Sequence, residues 1–233
     1  MQANGKVLGV VGGMGPAAAA EFLRLLAVNA PATTDQEHPR VILYGDTQLP
    51  DRSAAMLGEG PSPETQLKRD FQQLIAWGAD MVCAPCNSAH YFINHFRDKL
   101  TVPLVHIIET TVQSARVLSP AGAWLLGTKG TMQSGMYQAE AARVGYPLRE
   151  VPPAVAELSE ASLRAIKSGD MTAAAAAMTE AAERLWATAD LPLMLACTEL
   201  PLAYDATDLS PQRAVSSLSA LADACLQRLY EPE

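Results

Sequence analysis

The sequence predicts an α/β protein in which parallel strands alternate with helices. Short apolar runs recur along the chain, segments with helical periodicity separate them, and a Ser-Pro-Ala-Gly stretch at residues 119–122 precedes a second series of such runs. Strands that alternate with helices form parallel sheets that are buried on both faces. We therefore expect two groups of strands, divided near residues 108–121. In sheets of this kind, ligands bind beyond the carboxyl ends of the strands.

The predicted strands are apolar runs whose length is typical of strands rather than of helices. The first group comprises Val7–Val11, Val41–Tyr44, Met81–Ala84 and Leu104–Ile107. The second group comprises Ala123–Gly127, Arg149–Val151 and Leu193–Ala196. A glycine-rich turn, Gly12–Pro16, leads from the first strand into the first helix.

The segments between the strands carry capping residues and apolar positions at helical spacing. Ser62 is placed as the N-cap of a helix that ends near Gly78, with Pro63 at its first position. Asp170 is placed as the cap of an alanine-rich helix with an apolar side, formed by Met171, Met178, Leu185 and Trp186. Further helices are predicted over Ala17–Asn29, Asn87–Lys99 and Ser134–Val144. The last helix is predicted to open at Ser210-Pro211 and to carry Val215, Leu218, Leu221, Cys225 and Leu229.

Composition excludes several classes of partner. The chain has 233 residues, 49% of them hydrophobic, and a formal net charge of −8. Nucleic acids and anionic membranes reward clustered Lys and Arg, so an acidic chain disfavours both. No segment approaches the ~20 unbroken apolar residues of a membrane span. Four cysteines are too few for a disulfide framework, and the first residues show neither a basic segment nor a cleavage site, so we expect a cytoplasmic protein with reduced thiols.

Two cysteines occupy matching positions in the two groups of strands. Cys86 and Cys197 each follow a buried-type strand, and each precedes small hydrogen-bonding residues and the start of a helix or turn. Main-chain N–H groups at such a place attract anions and lower the pKa of a thiol. The alternative is that each cysteine is a small buried hydrophobic residue, which is the common role of an isolated cysteine.

Two thiols brought to one site suit the inversion of a carbon that bears hydrogen. One thiolate would remove the proton from one face while the other thiol delivers a proton to the opposite face. A reference thiol pKa of ~8.5 makes either protonation state reachable. The hydroxyl and amide groups of Asn87, Ser88 and Thr198 could hold a substrate carboxylate.

The same motifs allow three other interpretations, namely a redox pair, a zinc site and a nucleotide-binding turn. Cys83 and Cys86 form a C-x-x-C pair at a helix start, the redox arrangement of thioredoxin-like proteins, although Cys197 has no part in it. The same two cysteines with His90 are too crowded for a zinc site with four ligands at finger-like spacing. The segment Gly13–Ala18 matches G-x-G-x-x-A, with Asp46 after the second strand, but Pro16 removes an N–H donor and Asp46 lies farther away than the ~20 residues expected.

The remaining polar residues carry a weaker signal. Arg52 lies in a loop after the second strand and could pair with a substrate carboxylate. Lys167 lies near the end of a short predicted helix, where the helix dipole alone would favour it. His38, His95 and His106 have no partner that the sequence identifies.

Several of these segments occur together, in the same order, in one known family. They are Gly12–Pro16, Pro50–Ser53, Cys86–His90, Gly127–Thr131, Ile166–Gly169 and Cys197–Pro201. With them the chain closely resembles the aspartate/glutamate racemase family, specifically its aspartate racemase branch. The resemblance implies two similar α/β domains with parallel sheets related by pseudo-twofold symmetry, and an active site in the cleft between them. The expected domains are residues 1–108 and 109–207, with a C-terminal helix at about 208–233 that packs back on the first.

The resemblance also implies the site residues. Cys86 and Cys197 would be the catalytic bases of a racemisation that needs no cofactor and no metal. Arg52 and Lys167 would read the side-chain carboxylate of the substrate. The other implied substrate contacts are Met14, Asn87, Ser88, Thr131, Thr198 and Glu199. The expected ligand is an acidic amino acid, and a homodimer is expected by family analogy.

Departures from the family pattern bear on the substrate. Glutamate racemases carry Asp-Ser in the first turn and histidine after the second Cys-Thr, where this chain has Gly13-Met14 and Glu199. Ser88 stands where the family usually has threonine and keeps the hydroxyl. These departures disfavour a cell-wall glutamate racemase. With the resemblance to the aspartate racemase branch, we expect an aspartate racemase. Glutamate or broad specificity, a maleate or hydantoin type isomerase of the same fold, and a non-catalytic amino-acid-binding protein are the alternatives; arylmalonate decarboxylases keep only one of the two cysteines.

Overall fold

A computed structural model of the protein describes residues 2–231. The strands in this range are β1 (Val7–Gly12), β2 (Arg40–Gly45), β3 (Met81–Cys83), β4 (Leu104–Val105), β5 (Ala123–Gly127), β6 (Leu148–Arg149), β7 (Leu193–Ala196) and β8 (Ala214–Ser216). The α-helices are α1 (Pro16–Asn29), α2 (Arg52–Met56), α3 (Glu64–Ala76), α4 (Ala89–Ile93), α5 (Ile107–Leu118), α6 (Lys129–Gln133), α7 (Met136–Arg143), α8 (Pro153–Ser168), α9 (Met171–Trp186), α10 (Leu200–Asp205) and α11 (Ser217–Tyr230).

The strands form two four-stranded sheets with the same topology. The first sheet has the order β2-β1-β3-β4 and the second has the order β6-β5-β7-β8, and every pairing is parallel. Each strand of the second sheet therefore corresponds to the strand four numbers earlier in the first. These observations confirm the predicted α/β class with two similar parallel sheets.

The chain divides into two compact units, each with one sheet. The first unit contains the chain up to Thr110 together with the segment from Leu218 onward, and the second contains Thr111–Ser217. No helix within residues 2–231 has both the length and the apolarity needed to cross a membrane.

The core of the first unit forms where α3 packs against its sheet. Leu67, Phe71 and Leu74 are fully buried, at the helical spacing that the sequence shows, and they share a cluster with Val11 and Val82. The core of the second unit forms in the same way around β5 and β7, where Leu126 and Leu195 pack with residues of α9. Burial of such side chains stabilises a domain by ~1.5–3 kcal/mol each.

Of the two capping predictions, that for Asp170 is confirmed and that for Ser62 is wrong by one residue. The Asp170 carboxylate accepts a hydrogen bond from the main-chain N–H of Ala173 at 3.0 Å and caps α9. Helix α3 begins at Glu64, so Pro63 is its N-cap and Ser62 lies one residue before the cap, where its hydroxyl accepts from the Glu64 N–H at 3.2 Å. Met171, predicted on the apolar side of α9, is 36% exposed because it lies in the first turn of the helix.

Two predicted elements of the first unit are shorter than expected. The helix predicted over Asn87–Lys99 is only Ala89–Ile93, because the N–H groups of His95 and Phe96 bond to carbonyls three residues earlier and tighten the chain. The strand predicted over Leu104–Ile107 stops at Val105, because the carbonyl of His106 already accepts from the Thr110 N–H at 3.1 Å and begins α5.

The segment predicted to open the last helix is instead an edge strand. Residues Pro211–Arg213 form a 3₁₀ turn, and Ala214–Ser216 form β8, so that Val215 lies opposite Met194 in the sheet. Helix α11 then begins at Ser217. Pairing with β7 outweighs the helical pattern, since β propensity depends on tertiary neighbours.

In the second unit, the segment after β5 holds two helices rather than one. Gly135, with φ of +71°, separates α6 from α7, and the sequence predicts only the second of these. The strand predicted over Arg149–Val151 is Leu148–Arg149. Helix α8 has 16 residues, so Lys167 ends a long helix rather than a short one.

Candidate active site

The two cysteine segments have a similar local structure in the two units. Cys86 is followed by the turn residues Asn87 and Ser88 before α4 begins, and Cys197 is followed by Thr198 and Glu199 before α10 begins. The preceding strands, β3 and β7, hold the same position in their sheets. The helices have only five and six residues, so their dipoles act on the thiols less than those of long helices would.

Cys86 lies almost buried between the end of β3 and α4. It is 4% exposed, and its Sγ lies 3.6 Å from the Oγ of Ser88. The main-chain N–H of Cys86 donates to the carbonyl of Ala84 at 2.8 Å. Asn87 is buried and Ser88 half-buried. The structure therefore brings the predicted residues Cys86, Asn87 and Ser88 together at the carboxyl end of a central strand.

Arg52 contacts main-chain carbonyls at the same edge of the first sheet. Its Nη1 donates to the carbonyls of Leu49 and Pro50 at 3.3 Å and 3.0 Å, and its Nη2 donates to the carbonyl of Met14 at 3.3 Å. The side chain is half-buried at the start of α2, where Asp51 is the N-cap. Arg52 forms no ion pair with any residue in the described range 2–231. No carboxylate within residues 2–231 therefore neutralises its charge.

Asp46 lies against the glycine turn and beside a second buried carboxyl group, that of Asp70. No sequence pattern predicts that these two residues are neighbours. Gly13 has a φ of +87°, and a Cβ there would lie 2.4 Å from the carbonyl oxygen of Asp46. The Asp46 carboxylate accepts from the main-chain N–H of Gln48 at 2.8 Å and from Nε2 of Gln66 at 2.6 Å. Burial, with the neighbouring Asp46 charge, raises the pKa of Asp70 to about 6. Close packing on Asp46 thus explains the glycine in this turn without a nucleotide.

Cys197 lies in the core of the second unit, beside a buried tyrosine. Cys197 is 8% exposed, Thr198 is buried and Glu199 is half-buried. Burial raises the pKa of Tyr137; a hydrogen bond with Thr111 lowers it, and the nearby Cys197 raises it. Tyr137 therefore keeps its proton next to Cys197. No local sequence signal marks Tyr137, since it lies 60 positions before the cysteine.

The other predicted contacts of the second unit lie on α6 and α8. Thr131 is fully buried, and its N–H donates to the Oγ1 of Thr128 at 3.1 Å, while the Thr128 hydroxyl donates to the Oγ1 of Thr131 at 3.0 Å. Thr131 thus follows the carboxyl end of β5, as Met14 follows that of β1. Lys167 is exposed in the last turn of α8.

The C-x-x-C pair is divided by the fold. Burial raises the pKa of Cys83 well above its usual range, and a hydrogen bond with Cys225 of α11 raises it further. Cys83 therefore faces Cys225, whereas Cys86 contacts Ser88. This arrangement disfavours a redox couple of Cys83 with Cys86. Within residues 2–231, no group of three or more His, Cys, Asp or Glu side chains is placed to hold a metal ion.

The chain is similar to known racemases in sequence. Residues 11–225 match a family model described as Asp/Glu/Hydantoin racemase. The broad specificity amino-acid racemase RacX of Bacillus subtilis is 27% identical over 141 residues, which cover 57% of this chain. The match spans 59% of the length of that relative, less than two thirds of it.

Solved structures of similar fold extend the comparison over nearly the whole chain. An aspartate racemase of Picrophilus torridus has a TM-score of 0.82 and 26% identity, covering 96% of this chain and 94% of that one. An aspartate racemase homologue of Pyrococcus horikoshii has a TM-score of 0.76 at 18% identity, covering 97% and 100%. A glutamate racemase of Thermus thermophilus has a TM-score of 0.67 at 19% identity, covering 98% and 84%. The last two likenesses show a shared fold alone.

Proposed function

Because the chain belongs to the Asp/Glu/Hydantoin racemase family, we propose that it is a pyridoxal-independent amino-acid racemase with aspartate as its substrate. The observation that carries the proposal is the repeated cysteine segment. Cys86 and Cys197 each follow the corresponding strand of a matching sheet, and each is followed by two polar turn residues and a helix. The Picrophilus aspartate racemase, at 26% identity, supports aspartate as the substrate.

The proposed reaction is a proton exchange at Cα by two thiols. The Cys86 thiolate removes the Cα proton from one face, and the Cys197 thiol delivers its proton to the opposite face. The substrate gains and loses one proton, and the two sulfurs exchange protonation states. The reverse enantiomer is then processed with the roles reversed. A thiol with the reference pKa of ~8.5 can in general serve as either acid or base near neutral pH.

The carbanion formed at Cα requires stabilisation of its carboxylate. Asn87, Ser88 and Thr198 are the proposed hydrogen-bond donors, with Thr131 as a further candidate. Donors that are already oriented before the reaction stabilise developing charge most effectively where water is excluded. The burial of Asn87, Thr131 and Thr198 suits this role.

The proposed specificity for an acidic side chain depends on two cationic side chains of the protein. Neutral carbonyls anchor Arg52, and Lys167 is the second residue proposed to bind the side-chain carboxylate of the substrate. Met14 and Glu199 complete the proposed substrate contacts. A broader range of amino acids is the second candidate function, and the similarity to the broad specificity racemase of Bacillus subtilis favours it.

The decisive experiment follows the Cα proton of a panel of amino acids in D₂O by NMR. We expect the wild type to exchange aspartate fastest, and Cys86→Ala or Cys197→Ala to reduce racemisation to background while the fold persists. Cys225→Ala is the matched control, since it removes a buried cysteine outside the proposed site, and it should keep activity.

Other outcomes identify other functions. Binding of aspartate by the wild type without any Cα exchange would make the protein a binding protein. Conversion of maleate or a hydantoin, without exchange in free amino acids, would identify an isomerase of the same fold. Full activity in either of the two cysteine variants would overturn the mechanism with two bases.

A further inference from the structure

A buried imidazole bonds to the main chain of Cys86. Nδ1 of His90 lies 2.8 Å from the Cys86 carbonyl oxygen, and His90 is fully buried. In a regular helix this carbonyl would accept from the main-chain N–H of residue 90, four positions later. That N–H instead donates to the carbonyl of Asn87 at 3.1 Å. The side chain of His90 thus replaces its own main-chain amide as the donor to Cys86.

The partners of the ring define its tautomer. A carbonyl can only accept, so Nδ1 of His90 carries the hydrogen. Nε2 then faces the main-chain N–H of Ile107, at 3.5 Å, as an acceptor. A neutral imidazole with one donor and one acceptor satisfies both contacts.

The surroundings keep this imidazole neutral. Burial lowers the pKa of His90 well below its usual range, the neighbouring His106 and Arg97 lower it, and the bond to Cys86 and the Glu109 carboxylate oppose this. The two histidine rings meet edge to face with centroids 4.4 Å apart. Nε2 of His106 contacts Oδ1 of Asn94 at 2.9 Å, which places His106 in the same buried cluster. The hydrogen bond to Cys86 therefore persists over the pH range in which a thiol titrates.

We propose that His90 is a positioning residue for Cys86, acting through the carbonyl of that cysteine. The inference rests on the proposed function, in which Cys86 is a base. The Cys86 carbonyl and the following amide share one rigid peptide plane. Fixing that plane fixes the main chain of Cys86 and so the direction in which its side chain leaves. The Cys86 N–H is already held by Ala84 at 2.8 Å, so the residue is held on both sides.

Loss of this hydrogen bond would change the orientation of the Cys86 thiol. A buried carbonyl without a partner is destabilising, and the segment can recover a hydrogen bond only by moving. The turn at Asn87 and Ser88 has no regular helix bond at Cys86 to resist such a movement. A displacement of ~1 Å at a reacting group can slow catalysis by about 100-fold.

The test compares three replacements of His90. The amide of an asparagine can occupy the place of Nδ1, whereas that of a glutamine reaches toward Nε2, and a leucine offers neither. We expect His90→Leu and His90→Gln to lower kcat for aspartate by about 100-fold with little change in KM. His90→Asn should stay within a few-fold of the wild type. His106→Phe, which keeps an aromatic edge-to-face contact, is the buried control and should also stay active.

A second measurement does not depend on racemase activity. The pH dependence of iodoacetamide alkylation is followed separately for Cys86 and Cys197 by peptide mapping of the same sample. We expect His90→Leu and His90→Gln to change the alkylation profile of Cys86 and leave that of Cys197 unaltered. If the wild type proves inactive on every amino acid, the proposed function fails, and this readout still tests the role of His90.

Four results would overturn the proposal. One is a folded His90→Leu protein with wild-type kcat and a wild-type Cys86 profile. Another is an equal change at both cysteines, or an equal loss in His106→Phe, since either would mean general destabilisation. If His90→Leu does not fold, the Asn and Gln variants decide the question, and a Gln variant more active than the Asn variant contradicts the assignment of Nδ1.

Discussion

The guanidinium of Arg52 donates a hydrogen bond to the main-chain carbonyl of Met14, 38 positions earlier, across 3.3 Å. Met14 follows β1 and Arg52 follows β2, and these strands are neighbours in the first sheet. The arginine therefore joins two loops at the edge where parallel sheets bind ligands. Its position there is fixed by neutral oxygen atoms, which leave the positive charge uncompensated.

Arg52→Met should weaken the preference for aspartate over asparagine, since methionine keeps the apolar stem and removes the charge. The ratio of the two kcat/KM values should fall by about 10- to 100-fold, because a hydrogen bond to a charged group contributes about 1.5–3 kcal/mol. Arg116→Met, which removes an exposed arginine in contact with Gln113, is the control. An equal loss for both substrates would assign Arg52 a structural role only.

At low conversion, racemisation in D₂O should incorporate deuterium only into the product enantiomer. In the proposed mechanism with L-aspartate as the substrate, the delivered hydrogen would come from the opposite thiol, which has already exchanged with solvent, so early D-aspartate would carry deuterium. The remaining L-aspartate should stay protiated. Chiral chromatography with mass detection measures both. Early deuterium in both hands would indicate one base that serves both faces, contrary to the two-thiol mechanism.

Asp70→Asn should stabilise the protein above pH 6. The folded-state pKa of Asp70 is about 6, above the ordinary value of 3.8, so between these values the folded state binds a proton that the unfolded state has released. The stability contributed by this group is therefore highest below pH 4 and declines as pH rises to 6. Removing the carboxylate should raise the free energy of unfolding at pH 7.5 by up to about 3 kcal/mol.

Urea unfolding at pH 4.5 and pH 7.5 checks this prediction. The gain of the Asn variant should be smaller at the lower pH, where the wild-type carboxyl is largely protonated. Asp98→Asn, at an exposed carboxylate of the same unit, should show no such difference. A gain of equal size at both pH values would mean that Asp70 does not titrate in this window.

Alkylation of the native protein should separate the four cysteines into two classes. Cys83 and Cys225 are fully buried, and burial raises the pKa of Cys83, so both should resist iodoacetamide at pH 8. Cys86 and Cys197 should react first. Peptide mapping of a time course gives the order, and a Cys83 that reacts as fast as Cys86 would restore the redox reading of C-x-x-C.

The parts of the fold that follow from the sequence are those whose burial is complete. The strands Ala123–Gly127 and Leu193–Ala196 have the predicted bounds. An apolar run that is buried on both faces is stable only as a central strand of a parallel sheet. The strand Ala214–Ser216 is different. It has no apolar run, and it exists because β7 offers an edge for pairing, which depends on residues distant in the chain.

The candidate site divides in the same way. Cys86 and Cys197 share a local pattern of strand, cysteine, polar turn and helix, and such a pattern is visible in the residues alone. The contacts of His90 and Tyr137 are not visible there. The contact of His90 depends on a ring orientation within one turn, and that of Tyr137 on packing against a segment 60 positions away. Neither contact can be predicted from the sequence around these residues.

The two cysteine segments differ in one respect, which bears on the energetics of turnover. Ala84 and Pro85 separate Cys86 from the end of β3, whereas Cys197 follows β7 directly. The two hands of an amino acid are isoenergetic in water, so the equilibrium constant of a racemisation is unity. The ratio kcat/KM must then be identical for the two enantiomers, however unlike the two thiol environments are. If the two thiol environments differ, one enantiomer can have a lower KM than the other, but its kcat must then be lower by the same factor.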